Sequence, residues 1–426
     1  MNEYDSARLA AFLEFHGATP AASTEKADII LVNTCSVRTK AEENAITRIR
    51  DLKPLKDKNK SLKIGVLGCM AKNRGESLLK NLPFLDFILG PEEYEKLPEI
   101  LKLSTLNYQP PAVHQRKSNS MMSQLSTNVF AKLSNNHSAF IAIQSGCNMK
   151  CSYCIVPYVR GVERYREPDS VLREIEAAAA KGISEITLLG QTVNGYRYRG
   201  LSFAGLLSRV ADVKKVERIR FMSPHPKHYT GELLEILLSE PKIAPHVHLP
   251  VQSGSNSILK KMKRQYTREN YLSIVESLRS SNPLYGITTD IICGYPGETE
   301  EEFEETLSLL REVRFDSAFM FAYSPRKGTP SALERELLSE EQKKARLQKT
   351  IDLQNAITLE RAKLMLGRSE KILLEKPSRR DSGEWVGKTG NFKKAIVKAQ
   401  PSFKEGMYVN CMIEGVSGHT LRGIVE

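Results

Sequence analysis

Three cysteines, Cys147, Cys151 and Cys154, fall within eight consecutive residues, directly after an apolar stretch at residues 139–144. No other feature limits the chain so strongly. Three thiolates on one short loop can hold three irons of a [4Fe–4S] cluster and leave the fourth iron open to a substrate. A structural zinc site is the competing reading, but it wants four closed ligands. No Cys or His near the triad supplies a fourth at the usual spacing. The remaining cysteines are Cys35, Cys69, Cys293 and Cys411, seven in all in 426 residues. An odd count in a chain of this size argues against a disulfide framework and for metal binding or catalysis.

The periodicity divides the chain into four parts. Residues 1–103 alternate buried-strand patterns (28–33 and 62–68) with helical ones, the first helix carrying Leu9, Phe12, Leu13 and Phe15 on one face. Such alternation predicts a parallel α/β sheet covered on both faces. Residues 104–137 are rich in Ser, Asn, Gln, Pro and Met and contain Pro110-Pro111, which reads as a linker. Residues 138–362 repeat a strand–helix unit, with strands expected at 139–144, 185–189, 217–221, 247–249, 287–292 and 318–323. One helix starts near Asp169 with Val171, Leu172 and Ile175, and another at Thr299 with Glu302 three residues on, a capping box. Six units predict a partial (β/α)6 barrel that stops short of the usual eight, with active groups at the carboxyl ends of its strands. The triad follows the first of these strands through Gln144-Ser145-Gly146, so it is expected on a loop at that end. Residues 363–426 turn to short strands separated by Gly-containing turns, such as 395–397 and 408–413, which predict a small antiparallel β-barrel.

Cys35 and Cys69 each follow a predicted parallel strand of the first region. They fall at carboxyl ends on one edge of the sheet and could converge on one site; the plainer reading is two buried thiols. Cys293 and Cys411 sit inside strand patterns and are expected to be buried packing residues. The net charge is +12, and residues 361–426 carry 13 Lys or Arg against 7 Asp or Glu, half of that surplus. So concentrated a basic excess favours a polyanion, RNA above all, over a merely solvated surface. No apolar run approaches the roughly 18 residues of a membrane span. The acidic, polar start is not a signal peptide, so a cytoplasmic protein is expected.

Longer stretches add a resemblance. Residues 145–148 and 151–161, Leu188-Leu189-Gly190-Gln191-Thr192-Val193-Asn194, Ser223-Pro224-His225-Pro226, His248-Leu249-Pro250-Val251-Gln252-Ser253-Gly254 and residues 289–299 resemble the methylthiotransferase family of radical S-adenosylmethionine (SAM) enzymes. The likeness spans essentially the whole chain. Residues 1–6 and 314–326 are similar to the tRNA-acting branch. The resemblance implies a [4Fe–4S] cluster on Cys147, Cys151 and Cys154 whose open iron chelates SAM, and one-electron cleavage to a 5′-deoxyadenosyl radical. It implies Tyr153 as the aromatic usual before the last cysteine. Gln191, Asn194, Ser223 and Gln252 become candidate SAM contacts, the plain alternative being that they cap strands in the barrel mouth. It further implies a second [4Fe–4S] cluster using Cys35 and Cys69, and a TRAM-like RNA-binding barrel at the end of the chain. In the family a third ligand of that second cluster lies on a strand just before the position of Met1, so a start further upstream is expected. The implied reaction is methylthiolation at carbon 2 of N(6)-isopentenyladenosine at tRNA position 37, with tRNA and an electron donor such as flavodoxin or ferredoxin as partners. Competing readings are a ribosomal-protein aspartate methylthiotransferase, a methylthiotransferase for threonylcarbamoyl adenosine, and a zinc-stabilised RNA-binding protein without catalysis.

Overall fold

The computed structural model describes residues 1–37, 39–103, 137–379, 381 and 383–426. The expected linker, 104–137, lies outside the described residues except for His137. Two compact units form, one from the N-terminal residues together with 145–149 and 154–164, the other from 150–153 and most of the remainder.

The first unit is the predicted parallel α/β domain. Helix α1 (Asn2–Phe15) precedes strand β1 (Ile29–Thr34), helix α2 (Thr39–Arg50), strand β2 (Lys63–Gly68), helix α3 (Cys69–Arg74) and strand β3 (Phe87–Leu89). The sheet order is β1-β2-β3, all parallel. Side chains alternate across a strand, so Ile64 and Val66 of β2 join Ile30, Ile49 and Met70 on one face. Leu67 joins Leu9, Phe12, Leu89 and Leu97 on the other. This two-sided burial explains why the central strand reads as a continuous apolar run. The helical face expected for α1 is shorter than its pattern: Leu9 and Phe12 are buried, whereas Phe15, the last residue of the helix, is 42% exposed.

The second unit carries six parallel strands in chain order: β4 (Ser138–Ala142), β5 (Glu185–Leu189), β6 (Arg218–Phe221), β7 (His246–His248), β8 (Gly286–Cys293) and β9 (Ser317–Ala322). They form ladders β4-β5-β6 and β7-β8-β9, and the parallel bridge Ile219–Ile243 continues the pairing from β6 toward β7. Helix α5 (Pro168–Ala180) opens on Pro at its first turn and buries Val171 and Ile175. Helix α6 (Glu300–Val313) opens with the predicted box: Glu302 N donates to Thr299 Oγ1 at 3.2 Å and Thr299 N donates to Glu302 Oε2 at 2.9 Å.

After helix α7 (Glu340–Lys363) the chain forms β10 (Ser369–Pro377), β11 (Glu384–Lys388), β12 (Lys394–Lys398), β13 (Tyr408–Ser417) and β14 (Thr420–Val425). These close into a barrel of order β10-β11-β12-β14-β13. The expected antiparallel barrel is corrected in one place, because β12 and β14 pair in parallel. The hairpin β13–β14 inserts its second strand beside β12, and there the two run the same way. Its core is Ile372, Leu374, Val397, Val409, Cys411, Ile413 and Leu421. On β6, Arg218 and Arg220 alternate with Ile219 and Phe221, a pattern that suggests a half-exposed strand, yet all four are buried. The arginines instead meet Glu185 of β5, at 3.5 and 3.0 Å. They also donate to the carbonyls of Lys371, Lys388, Thr389 and Gly390 in the closed barrel.

Candidate cluster and cofactor site

In the first unit, register decides where two thiols stand. Thr34 pairs with Gly68 at the ends of β1 and β2, so Cys35 and Cys69 leave the sheet side by side at its carboxyl edge. Gly68 has φ +95°, and a Cβ there would lie 2.4 Å from the Thr34 carbonyl oxygen, so the approach requires glycine. Cys69 is buried against Ile155 and Val159, the latter on helix α4 (Val156–Arg160). Arg160 on the same helix donates to Asp5 Oδ2 at 2.7 Å and to Asn2 Oδ1 at 3.4 Å. Burial pushes the Cys69 thiol up, Arg160 opposes this through charge and a hydrogen bond, and the charge of Cys35 adds to the rise. Cys35 thus stands close enough for its charge to act on Cys69. In the same unit, Cys147 N donates to Gly161 O at 3.1 Å, and Asn148 and Glu163 exchange hydrogen bonds at 3.1 to 3.4 Å. Cys154 also belongs to this unit, one residue before Ile155.

Cys151 belongs to the second unit, where residues 150–153 are firmly held. Ser152 N donates to Met262 O at 3.1 Å, and Ser152 Oγ bonds Lys261 O and Tyr295 Oη, both at 2.8 Å. Tyr153 packs on Ile258, Met262, Tyr295 and Tyr323. Arg264, buried, donates to Cys151 Sγ at 3.4 Å and to Tyr153 Oη at 3.3 Å. Sequence reasoning missed Arg264. It lies past the end of a helix, and neither periodicity nor charge marks it out; the missing signal is the tertiary return to Cys151.

The four candidate SAM contacts all lie on loops after barrel strands. Gln144 Oε1 accepts from the backbone N–H groups of Gln191 and Thr192 at 2.7 and 3.1 Å, so the end of β4 holds the loop after β5. The Asn194 amide is engaged at both ends by His225, accepting from its N–H at 2.7 Å and donating to its carbonyl at 3.0 Å. It therefore locks the loops after β5 and β6 together. Ser223 and Gln252 both have left-handed φ, +62° and +73°, without being glycine. Strained backbone of this kind concentrates at functional sites, where the surroundings over-determine it. His225, also missed, accepts from Lys227 N through Nδ1, and its buried Nε2 has no hydrogen-bond partner among the described residues. Burial, then the charge of Arg264, pushes it down to about 2, so its ring is neutral. Cys293 and Cys411 are buried, with thiols pushed up to about 12 and about 11, as packing cysteines should be.

All seven cysteines stand outside disulfides. Among the described residues no three Cys, His, Asp or Glu converge as the ligands of a single ion would. A [4Fe–4S] cluster places its thiolates on separate irons, which sets them further apart. A buried guanidinium against the Cys151 sulfur suits such an anionic group.

Residues 141–310 match the Radical SAM superfamily, and residues 1–90 match the family described as Uncharacterized protein family UPF0004. The tRNA-2-methylthio-N(6)-dimethylallyladenosine synthase of Methylacidiphilum infernorum is 40% identical, covering 99% of this chain and 92% of that protein. The synthase of the same name from Carboxydothermus hydrogenoformans is 43% identical over 93% of this chain and 90% of its own. The chain belongs to this synthase family. The fold agrees with that of the radical SAM methyltransferase TsrM from Kitasatospora setae, at TM-score 0.53 and 15% identity over 76% of this chain and 68% of that one. The family membership makes the chain a radical SAM enzyme, as the triad suggests. No helix among the described residues is long and apolar enough to cross a membrane.

Proposed function

We infer that this chain is a radical SAM methylthiotransferase that adds a methylthio group to carbon 2 of N(6)-isopentenyladenosine at position 37 of tRNA. The observation that carries the reading is the 40% identity to a named synthase along 99% of the chain. Cys147, Cys151 and Cys154 would hold the cluster that binds SAM. Cys35 and Cys69, with a further ligand left unassigned, would hold the second. When bound with SAM, the first cluster supplies one-electron cleavage of the sulfonium. The protein's own part is to place and shield. Ser223 and Gln252 present their backbones at the strand ends, and Asn194 fixes the loops on which SAM would rest. Cys69 packs against Ile155, the residue after Cys154, which supports sulfur passing from the second cluster's ligands toward the triad's loop. The basic C-terminal barrel would hold the tRNA backbone through charge. A flavodoxin or ferredoxin would supply the electron, and the reaction belongs to the cytoplasm, where tRNA is modified.

The test is anaerobic reconstitution with iron and sulfide, followed by SAM, a reductant and isopentenylated tRNA. The methylthio nucleoside is then sought by mass. Cys151→Ala should lose SAM cleavage and product together. Cys69→Ala should keep SAM cleavage and lose product. Full product from Cys69→Ala would remove the second cluster from the reading, and no SAM cleavage by the iron-loaded wild type would remove the reading itself.

A further inference from the structure

We propose that Arg264 is a positioning residue that donates to the Cys151 sulfur and raises the potential at which the triad's cluster accepts its electron. This rests on the reading that Cys147, Cys151 and Cys154 hold a [4Fe–4S] cluster.

The argument starts from unbalanced charge. Arg160, Arg218, Arg220, Arg346 and Arg361 are buried, and each pairs with a carboxylate: Asp5, Glu185 for two of them, Glu298 and Asp316. Arg264 is buried as deeply, 5% exposed, and among the described residues no Asp or Glu pairs with it. A buried cation without a counter-charge is costly. Its donors instead go to Tyr266 Oη (2.9 Å), Pro250 O (3.0 Å), Tyr153 Oη (3.3 Å) and Cys151 Sγ (3.4 Å). Of these four partners only the cysteine sulfur carries negative charge when it ligates iron, as a thiolate. Tyr266 in turn donates to Val251 O at 2.7 Å, and its ring lies 5.2 Å from the guanidinium carbon. The fork is therefore held in place by contacts that do not involve the cluster.

The chemistry follows from charge. One-electron reduction adds a negative charge that is shared by the cluster sulfurs. An N–H donor and a fixed positive charge at one thiolate stabilise the reduced form more than the oxidised one, which raises the potential. A lysine would supply charge without the planar fork that reaches Tyr266, Pro250 and Cys151 at once.

The experiment is a redox titration of the full chain, reconstituted on a Cys35→Ser, Cys69→Ser background and followed by the electron paramagnetic resonance of the reduced triad cluster, with SAM absent. R264Q should make reduction about tenfold less favourable, a fall of about 59 mV for one electron. R264K should fall in the same direction by less. The midpoint does not depend on the fraction of protein loaded, so partial iron content leaves it readable. Should R264Q hold no cluster, the R264K midpoint decides, and a value equal to wild type overturns the proposal. Unchanged potentials in both variants, with SAM affinity lost, would likewise overturn it and assign the guanidinium to SAM. A wild-type chain with no iron on the triad would overturn the cluster reading as well, which separates the two failures.

Discussion

Glu185→Gln offers a sharp test of how the C-terminal barrel is fastened. Glu185 is 6% exposed and accepts from Arg220 Nε at 3.0 Å, with Arg218 Nη1 at 3.5 Å. Glutamine keeps the volume and one acceptor oxygen, so the loss is mainly the negative charge. Two buried guanidinium groups then keep the backbone carbonyls of the closed barrel and the rings of Tyr408 and Phe392, but no counter-charge among the described residues. Removing one partner of a buried ion pair costs about 3–5 kcal/mol, and retention of an oxygen puts this case near about 3 kcal/mol. Trp385, the one tryptophan of the chain, lies on β11 and packs edge-on to Phe403 at 6.2 Å, so its fluorescence follows this barrel. With a urea dependence of about 1–3 kcal/mol per molar, the midpoint of the Trp385 transition should fall by about 1–3 M. Added salt should not restore it, because buried pairs are little screened. Glu384→Gln, which breaks the exposed pair to Arg422 on the same barrel, should cost under about 1 kcal/mol. A Glu185→Gln midpoint equal to wild type, or one recovered by 1 M salt, would refute the reasoning.

Gly68→Ala should cost about 2–4 kcal/mol, from φ +95° and a Cβ 2.4 Å from backbone oxygen. It should also lower iron retention at Cys35 and Cys69, read by thermal melting and iron analysis. Asn194→Ala strands a buried N–H and carbonyl of His225 and should cost about 2 kcal/mol; a ΔΔG near zero in urea would show the loops are held otherwise. His225 and His246 are both kept neutral, chiefly by burial, with His225 pushed down to about 2 and His246 well below its ordinary value. Folded values below the unfolded one mean that stability is complete above about pH 6.5 and is lost as pH falls below it, by up to about 1.4 kcal/mol per pH unit for each ring. His246→Asn should flatten the acid limb of a urea-midpoint profile by about one proton, and an unchanged slope would count against it.

Most of the fold was legible because its strands carry short-range signals. The run Ile64-Gly65-Val66-Leu67 declares a strand buried on both sides, and Thr299 with Glu302 declares a helix start. The parallel β12–β14 pair was not legible, since pairing partners are a long-range choice that local alternation does not encode. The burial of Arg218 and Arg220 was not legible for a similar reason: their alternation with Ile219 and Phe221 fits an exposed face as well, and the barrel that covers it is distant in the chain. At the site, cysteine spacing and position after strands pointed to all five candidate ligands. Arg264, Arg160 and His225 stayed hidden because each matters through a partner 31 or more residues away in the chain.

The order of the C-terminal barrel has a consequence for how the protein is made. β14 fills the gap between β12 and β13, and it is synthesised after every other strand of that barrel. Until it emerges from the ribosome, β12 and β13 each present an unpaired edge, a template for pairing with other chains. Ala395, Val397 and Ile413 lie on those same two strands and remain uncovered in that interval. A nascent chain paused before Thr420 is thus expected to be sticky whatever the state of its iron, and Lys394 and Lys398, at the two ends of β12, place charge on the exposed edge during that wait.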